Sequence, residues 1–395
     1  MSNWENWLKT KARDRESKTL ERLIEATEEA TEPWTVRNGK RLLNFSSNNY
    51  LGLSKSPSLQ EAAIRGAKKG AGSGGSRLIT GDNADYRRLE EKIAELKGTK
   101  RALILGSGYL ANIGTFSALL DENCGVISDS LNHASIIDGI RLSRATKYIY
   151  QHTDISDLEA KLSEAKHAGH KRLLIATETV FSMDGDVAPL KDIIELKNEF
   201  GAALLVDDAH GAGVFGKNGA GYAHEVGLAE HIEIQMGTFS KAYGAYGAYI
   251  AANEEWICEL VNSSRTLIYS TGLPPSLIET ANESLKLVSE ADRARSQLAQ
   301  KAKKFRQELN NAGLDTCGSS TQIIPVIVGE NDLALHIAQR LRARNLLAHA
   351  IRPPTVPDGT ARIRFSLMAT HPDNALEEAS RVIIEEIRNA EARKF

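Results

Sequence analysis

The sequence predicts an α/β fold, in which a large domain on a mostly parallel central sheet is followed by a smaller C-terminal α+β domain. Three observations carry that prediction. From about residue 100, short apolar runs recur at 102–105, 125–128, 147–150, 173–177, 202–206, 232–236 and 245–251. Most are separated by stretches of helical periodicity, such as 154–166 and 189–200, and strands alternating with helices build parallel sheets covered on both faces. From residue 274 to 312 the chain instead reads as long helical stretches, and a second, shorter α/β alternation follows them.

Taken in order, residues 1–40 read as a charged amphipathic helix followed by a strand and turn. Trp4, Trp7 and Leu8 fall at helical spacing, and so do Leu20, Leu23 and Ile24. The link between 232–236 and 245–251 is too short for a helical crossover, so that pair should be locally antiparallel. Pro274 and Pro275 fit a helix start. The C-terminal pattern is apolar at 323–328, helical at 332–344, apolar at 346–351, alternating at 362–367 and helical at 373–388. The expected division is an N-terminal helix and arm over 1–45, a large domain over 46–285 and a small domain over 286–395.

Composition removes several function classes. Of 395 residues, 25% are charged and the net charge is −2, with basic residues spread rather than massed. That pattern does not steer toward a polyanion, so no nucleic-acid partner is expected. The three cysteines, Cys124, Cys258 and Cys317, lack CxxC spacing, which argues against a disulfide framework and against zinc. A reducing cytoplasm is the expected location. The polar N-terminus offers no signal peptide. No run approaches the roughly 18 apolar residues that cross a bilayer, so no membrane partner is expected.

Four segments at strand ends concentrate glycine and polar residues, where open α/β sheets bind ligands. Ser107, Gly108 and Tyr109 lie at a strand-to-helix turn that could seat a phosphate on free N–H groups. His133 follows the second run and could stack on a flat ring; alone, it reads more readily as a capping-region surface residue. Asp207 and Asp208 end an apolar run, and a buried acid needs a cation or several donors. Asp208 could still cap a loop. Lys241 sits among small residues just past a strand end, where an ordinary lysine would face solvent. Together these are the parts that pyridoxal 5'-phosphate (PLP) needs, namely a phosphate seat, a stacking ring, an acid for the pyridine nitrogen and a Schiff-base lysine. Unit charges about 4 Å apart gain roughly 4 kcal/mol at an effective dielectric near 20, so an acid at 207 could hold that nitrogen protonated. Two GxGxxG patterns, at 70–75 and 211–216, raise a dinucleotide-binding alternative. The first follows a helical stretch and the second runs into glycine-rich sequence, so neither has the strand before and helix after that the motif requires.

The chain resembles the α-oxoamine synthase family of PLP fold-type I (aspartate aminotransferase-like) enzymes over nearly its whole length. The resemblance rests on NFSSNNYLGL at 44–53, GSGGSR at 72–77, SDSLNH at 128–133, TVFSMDG at 179–185, VDDAH at 206–210, TFSK at 238–241, IRPPTVP at 351–357 and ARIR at 361–364. It implies a homodimer with shared active sites and a decarboxylative condensation of an amino acid with an acyl thioester. L-Alanine with pimeloyl-CoA, or pimeloyl on a carrier protein, is the expected pair, and glycine with acetyl-CoA the alternative. By the same resemblance, Lys241 carries the cofactor, Asp207 pairs with its pyridine nitrogen, and His210 bonds its phenolic oxygen. His133 stacks on the ring and Ser182 touches the cofactor. Gly108, Tyr109 and Thr238 seat the phosphate, joined by Ser270 and Thr271 of the partner subunit. Asn48 and Arg364 would hold the amino-acid carboxylate, for which arginine's planar fork is suited. Thr355 falls in the segment that favours the pimeloyl-using branch. At the acyl carboxylate the chain has Glu21 where some members place arginine, and Arg22 is the expected substitute.

Overall fold

The computed structural model describes residues 2–392. The chain divides into two compact units, one of residues 49–182 and 187–296, the other of residues up to 48, 183–186 and from 297 onward. No helix of the described residues is long and apolar enough to cross a membrane.

The second of these units starts with a helix, Asn3–Ser17, capped by a reciprocal Ser2–Glu5 box. None of its side chains is buried, and Trp4 is 72% exposed. The expected helical face at Leu20, Leu23 and Ile24 is a correction: residues 20–24 are not helical. Thr19 takes a positive φ of 55°, which no right-handed helix continues through. A hairpin follows, β1 (Trp34–Arg37) and β2 (Lys40–Asn44), with Arg37 opposite Lys40. Its turn is Asn38-Gly39, both at positive φ, the two-residue turn whose twist matches that of the strands.

The larger unit carries a seven-stranded sheet. Its strands are β3 (Arg101–Leu105), β4 (Cys124–Asp129), β5 (Thr146–Tyr150), β6 (Arg172–Glu178), β7 (Ala203–Asp207), β8 (Ile234–Thr238) and β9 (Ala248–Ala252). The order is β3-β9-β8-β7-β6-β4-β5. Strands β4 to β8 are parallel, and β9 runs antiparallel to both β8 and β3, as the short link required. The strands read as unbroken apolar runs because both faces are covered. Alternate residues go to opposite sides: Leu205, Leu174 and Val126 join one core with Phe116 and Ile140, while Leu204, Val206, Ile175 and Ile127 join another with Leu158 and Ile193. The parallel strands end together at one edge, at Asp129, Tyr150, Glu178, Asp207 and Thr238. Helix Pro275–Ser289 begins where the proline pair placed it.

Returning to the second unit, β10 (Ile323–Gly329), β12 (His349–Ile351) and β13 (Ala361–Ser366) form an antiparallel sheet in the order β10-β13-β12. The apolar run at 346–351 is split, since β11 (Leu346–Leu347) leaves this sheet to pair in parallel with β2. Phe45, Phe305 and Phe365 pack with centroids 5.5–5.9 Å apart, and His371 lies 5.3 Å from Phe45. His371 has no exposed surface; its Nδ1 accepts from Met368 N at 3.0 Å and its Nε2 donates to Asn44 O at 3.0 Å. Burial pushes this imidazole down to about 4. An unfolded histidine titrates at about 6.5. Between those values the native state binds fewer protons than the unfolded state. The stabilisation is therefore complete above pH ~6.5 and declines by about 3 kcal/mol as pH falls toward the native value. Urea unfolding across that window should show this slope, and the His371→Gln variant should lack it.

Candidate active site

A cavity of about 210 Å3 opens at the carboxyl edge of the seven-stranded sheet. Its walls come from the strand ends and the turns after them. Ser107, Gly108 and Tyr109 follow β3, His133 and Ser135 follow β4, and Glu178 ends β6. Asp207, Ala209 and His210 come from β7, and Met236, Thr238, Ser240 and Lys241 from β8 and its loop.

The first wall is a helix N-terminus. Helix Gly108–Leu119 starts directly after the turn, and Ser107 caps it by accepting from Leu110 N at 3.2 Å. The first N–H groups have no partner inside a helix, and with the helix dipole they favour an anion. Tyr109 offers its backbone here, since its hydroxyl donates to Asp138. Thr238 Oγ1 donates to Gly247 O at 2.8 Å and accepts from Ser240 N at 3.2 Å, which closes the loop against β9 and sets both hydroxyls on the cavity.

Opposite chemistry is concentrated at the ends of β6 and β7. Asp207 is 4% exposed. Its Oδ1 accepts from Ala209 N at 2.9 Å and its Oδ2 from Asn112 Nδ2 at 2.8 Å. Asn112 Nδ2 also donates to Ser135 Oγ at 2.9 Å, and Ser135 Oγ lies 2.7 Å from His133 Nδ1. His133 caps helix Ala134–Ser143 by accepting from Ser135 N at 3.2 Å, so the plain capping role and the cavity role coincide. Burial lowers the His133 pKa; Asp207 opposes this and Lys241 reinforces it, so the ring is neutral at neutral pH.

Glu178 was not singled out from the sequence, yet it stands beside Asp207 in register on the adjacent strand. Burial raises it well above the usual carboxylate range, and the Asp207 charge adds to this, against the pull of Lys241 and the His133 N–H. Its Oε1 has no hydrogen-bond partner among the described residues. The signal that found Asp207, an acid directly continuing an apolar run, applied equally to Glu178 after 173–177. Asn112 offered no such signal. Asp208 does cap a loop, its Oδ1 accepting from Tyr222 N at 3.3 Å, and it is also held in a buried pair with Lys97, 3.1 Å away.

Lys241 lies in the loop joining β8 to β9, where Gly244 N donates to Lys241 O at 2.9 Å to close a turn. Gly244 has a positive φ of 63°, and a Cβ there would lie 2.5 Å from Ser54 N, so the turn needs glycine. His210 is buried, and its Nδ1 lies 2.6 Å from Tyr50 Oη.

The structure thus brings Gly108, Tyr109, His133, Asp207, His210, Thr238 and Lys241 to one cavity. Ser182 is buried but does not line it, and half-buried Ser270 and exposed Thr271 lie outside it. Asn48, Arg364, Thr355 and Arg22 belong to the other unit. There Arg364, 9% exposed, donates to Ser366 Oγ at 2.8 Å and reaches Asn48 Oδ1 at 3.4 Å. Thr355 and Arg22 are exposed. Burial and the Arg22 charge both lower the pKa of Arg352, whose guanidinium donates to the carbonyls of Thr19 and Glu21.

These donors and acceptors fit PLP. Asp207 has one lone-pair direction left on each oxygen for a pyridine N–H, and the helix start with Thr238 and Ser240 matches a phosphate. A neutral imidazole is available for the ring face, and Lys241 opens onto the same space. Known proteins agree. The chain belongs to the aminotransferase class I and II family, whose model matches residues 40–383. Within it the chain falls among the α-oxoamine synthases, PLP-dependent acyltransferases of fold-type I. It is 48% identical over 347 residues, 87% of this chain and 88% of the relative, to 8-amino-7-oxononanoate synthase of Geobacter sulfurreducens. Serine palmitoyltransferase from S. paucimobilis, solved as a lysine-to-alanine variant with a bound PLP–myriocin aldimine, superposes at TM-score 0.92 with 27% identity, covering 99% of this chain and 100% of that one. Francisella tularensis 8-amino-7-oxononanoate synthase superposes at TM-score 0.77 with 27% identity, covering 88% and 98%.

Proposed function

We propose that this enzyme condenses L-alanine with a pimeloyl thioester, on CoA or a carrier protein, to give 8-amino-7-oxononanoate, CO2 and the free thiol. The reading rests above all on the 48% identity to a synthase of that name. The cluster of Lys241, Asp207, His133 and His210 around one cavity supports the chemistry.

PLP, when bound, supplies an electron sink for the carbanion at Cα. The protein's own groups divide the remaining work. Lys241 anchors the cofactor, and its amine, once released, removes the Cα proton and later returns one. The Asp207 carboxylate holds the proton on the pyridine nitrogen. His133 covers the ring, His210 donates to the phenolic oxygen, and Ser182 adds a contact. Gly108, Tyr109 and Thr238 hold the phosphate, with Ser270 and Thr271 supplied by the partner subunit of a homodimer. Arg364 and Asn48 grip the amino-acid carboxylate, and Arg22 takes the distal acyl carboxylate, with Thr355 beside the acyl chain. A C–C bond forms between Cα and the acyl carbon while the C–S bond breaks, and the Cα–carboxylate bond then breaks to release CO2.

The test is release of thiol from paired amino acids and acyl-CoAs. Alanine with pimeloyl-CoA should give the fastest turnover. Faster release with glycine and acetyl-CoA, or with serine and palmitoyl-CoA, would overturn the substrate assignment.

A further inference from the structure

Tyr50 has no exposed surface and places its hydroxyl 2.6 Å from His210 Nδ1, with the ring centroids 6.0 Å apart. It comes from a tight turn. Gly52 N donates to Asn49 O at 2.8 Å, and Asn49 Nδ2 donates to Ser54 Oγ at 2.9 Å. The same turn abuts the loop of Lys241, because Gly244 leaves no room for a Cβ beside Ser54. Tyr50 is therefore held firmly, and so is the nitrogen it meets.

A neutral imidazole carries one proton, and the hydrogen bond made by one nitrogen decides which atom holds it. A phenol is a strong donor and a neutral ring nitrogen a good acceptor. With Nδ1 accepting from Tyr50, the proton sits on Nε2. We propose that Tyr50 is a positioning residue whose hydroxyl fixes the proton of His210 on Nε2, which makes His210 a permanent donor toward the phenolic oxygen of PLP. This rests on the cavity's being the PLP site. The other tautomer would present a lone pair to an oxygen anion and repel it. The remaining titratable groups on the cavity are His133, Glu178, Asp207, Lys241 and Tyr109, whose hydroxyl is tied to Asp138.

The test uses the PLP-loaded enzyme and two readouts apart from turnover: the pH titration of the visible band of lysine-bound PLP, and the PLP dissociation constant. In Tyr50→Phe the phenolic oxygen loses its assured donor, so its negative charge holds the neighbouring Schiff-base proton more tightly. The titration midpoint should rise by about half to one pH unit, and PLP should bind roughly 3- to 10-fold more weakly, the range for one lost hydrogen bond. In a His210→Asn background, where the side-chain amide donates without help from Tyr50, adding Tyr50→Phe should leave the midpoint in place. An unmoved midpoint in Tyr50→Phe, or equal shifts in both backgrounds, would overturn the proposal. If Tyr50→Phe does not fold, 15N-histidine NMR of the wild-type holoenzyme decides, with His210 expected as the Nε2–H tautomer and an Nδ1–H tautomer or imidazolium contradicting it. Absence of any borohydride-sensitive visible band in wild type would instead refute the PLP reading itself.

Discussion

Lys241→Ala protein is expected to fold as the wild type does and to lose turnover by at least about four orders of magnitude. General acid–base catalysis alone contributes about two to four orders. In the proposed assignment the same amine also anchors the cofactor, so both contributions would go together. The fold should survive because Lys241 projects from a loop into a cavity, and the loop is closed by groups the substitution leaves alone. Those are the Lys241 carbonyl, Gly244 N, and Thr238 Oγ1 on Gly247 O. Thiol release and thermal unfolding measured side by side check this. A variant that unfolds early but keeps its chemistry would mean that Lys241 is structural and that the proton carrier lies elsewhere.

Lys97→Met should cost about 3–5 kcal/mol of stability, the usual consequence of removing one partner of a buried ion pair. Lys97 and Asp208 are each 1% exposed and 3.1 Å apart. The ammonium also donates to Ala220 O at 2.6 Å, and Asp208 Oδ1 accepts from Thr179 Oγ1 at 2.6 Å. Without Lys97 the carboxylate is left charged in an apolar interior. Lys97→Met with Asp208→Asn should therefore be less destabilised than the sum of the single variants, since no charge remains unpaired. Urea unfolding of the three variants measures this. A cost for Lys97→Met below about 1 kcal/mol, the scale of an exposed pair, would contradict the buried-pair description.

Lys97 also shows where sequence reading stops. It ends helix Ala84–Lys97, a segment dense in charge that reads as a solvated face, and its burial depends on a strand end 111 residues away in the chain. The sheet itself was legible because strands covered on both faces appear as unbroken apolar runs between helical periods. The reversal at β9 was legible from a link too short to cross over. Asp207 was legible because an acid extending such a run demands a partner. Glu178 carried the same signal, but its meaning lies in standing beside Asp207, and strand order is not written in spacing. Asn112, which ties Asp207 to Ser135, sits one helical turn beyond Gly108 and looks like any small polar residue. The face at Leu20, Leu23 and Ile24 misled for a local reason, a backbone reversal at Thr19 that residue type does not announce.

The most direct measurement reduces the PLP-loaded enzyme with borohydride and maps the peptides. A pyridoxyl mass on the peptide containing Lys241, absent from Lys241→Ala, is the predicted result. Label on any other lysine, or none at saturating PLP, would contradict the assignment of Lys241 as the cofactor's anchor.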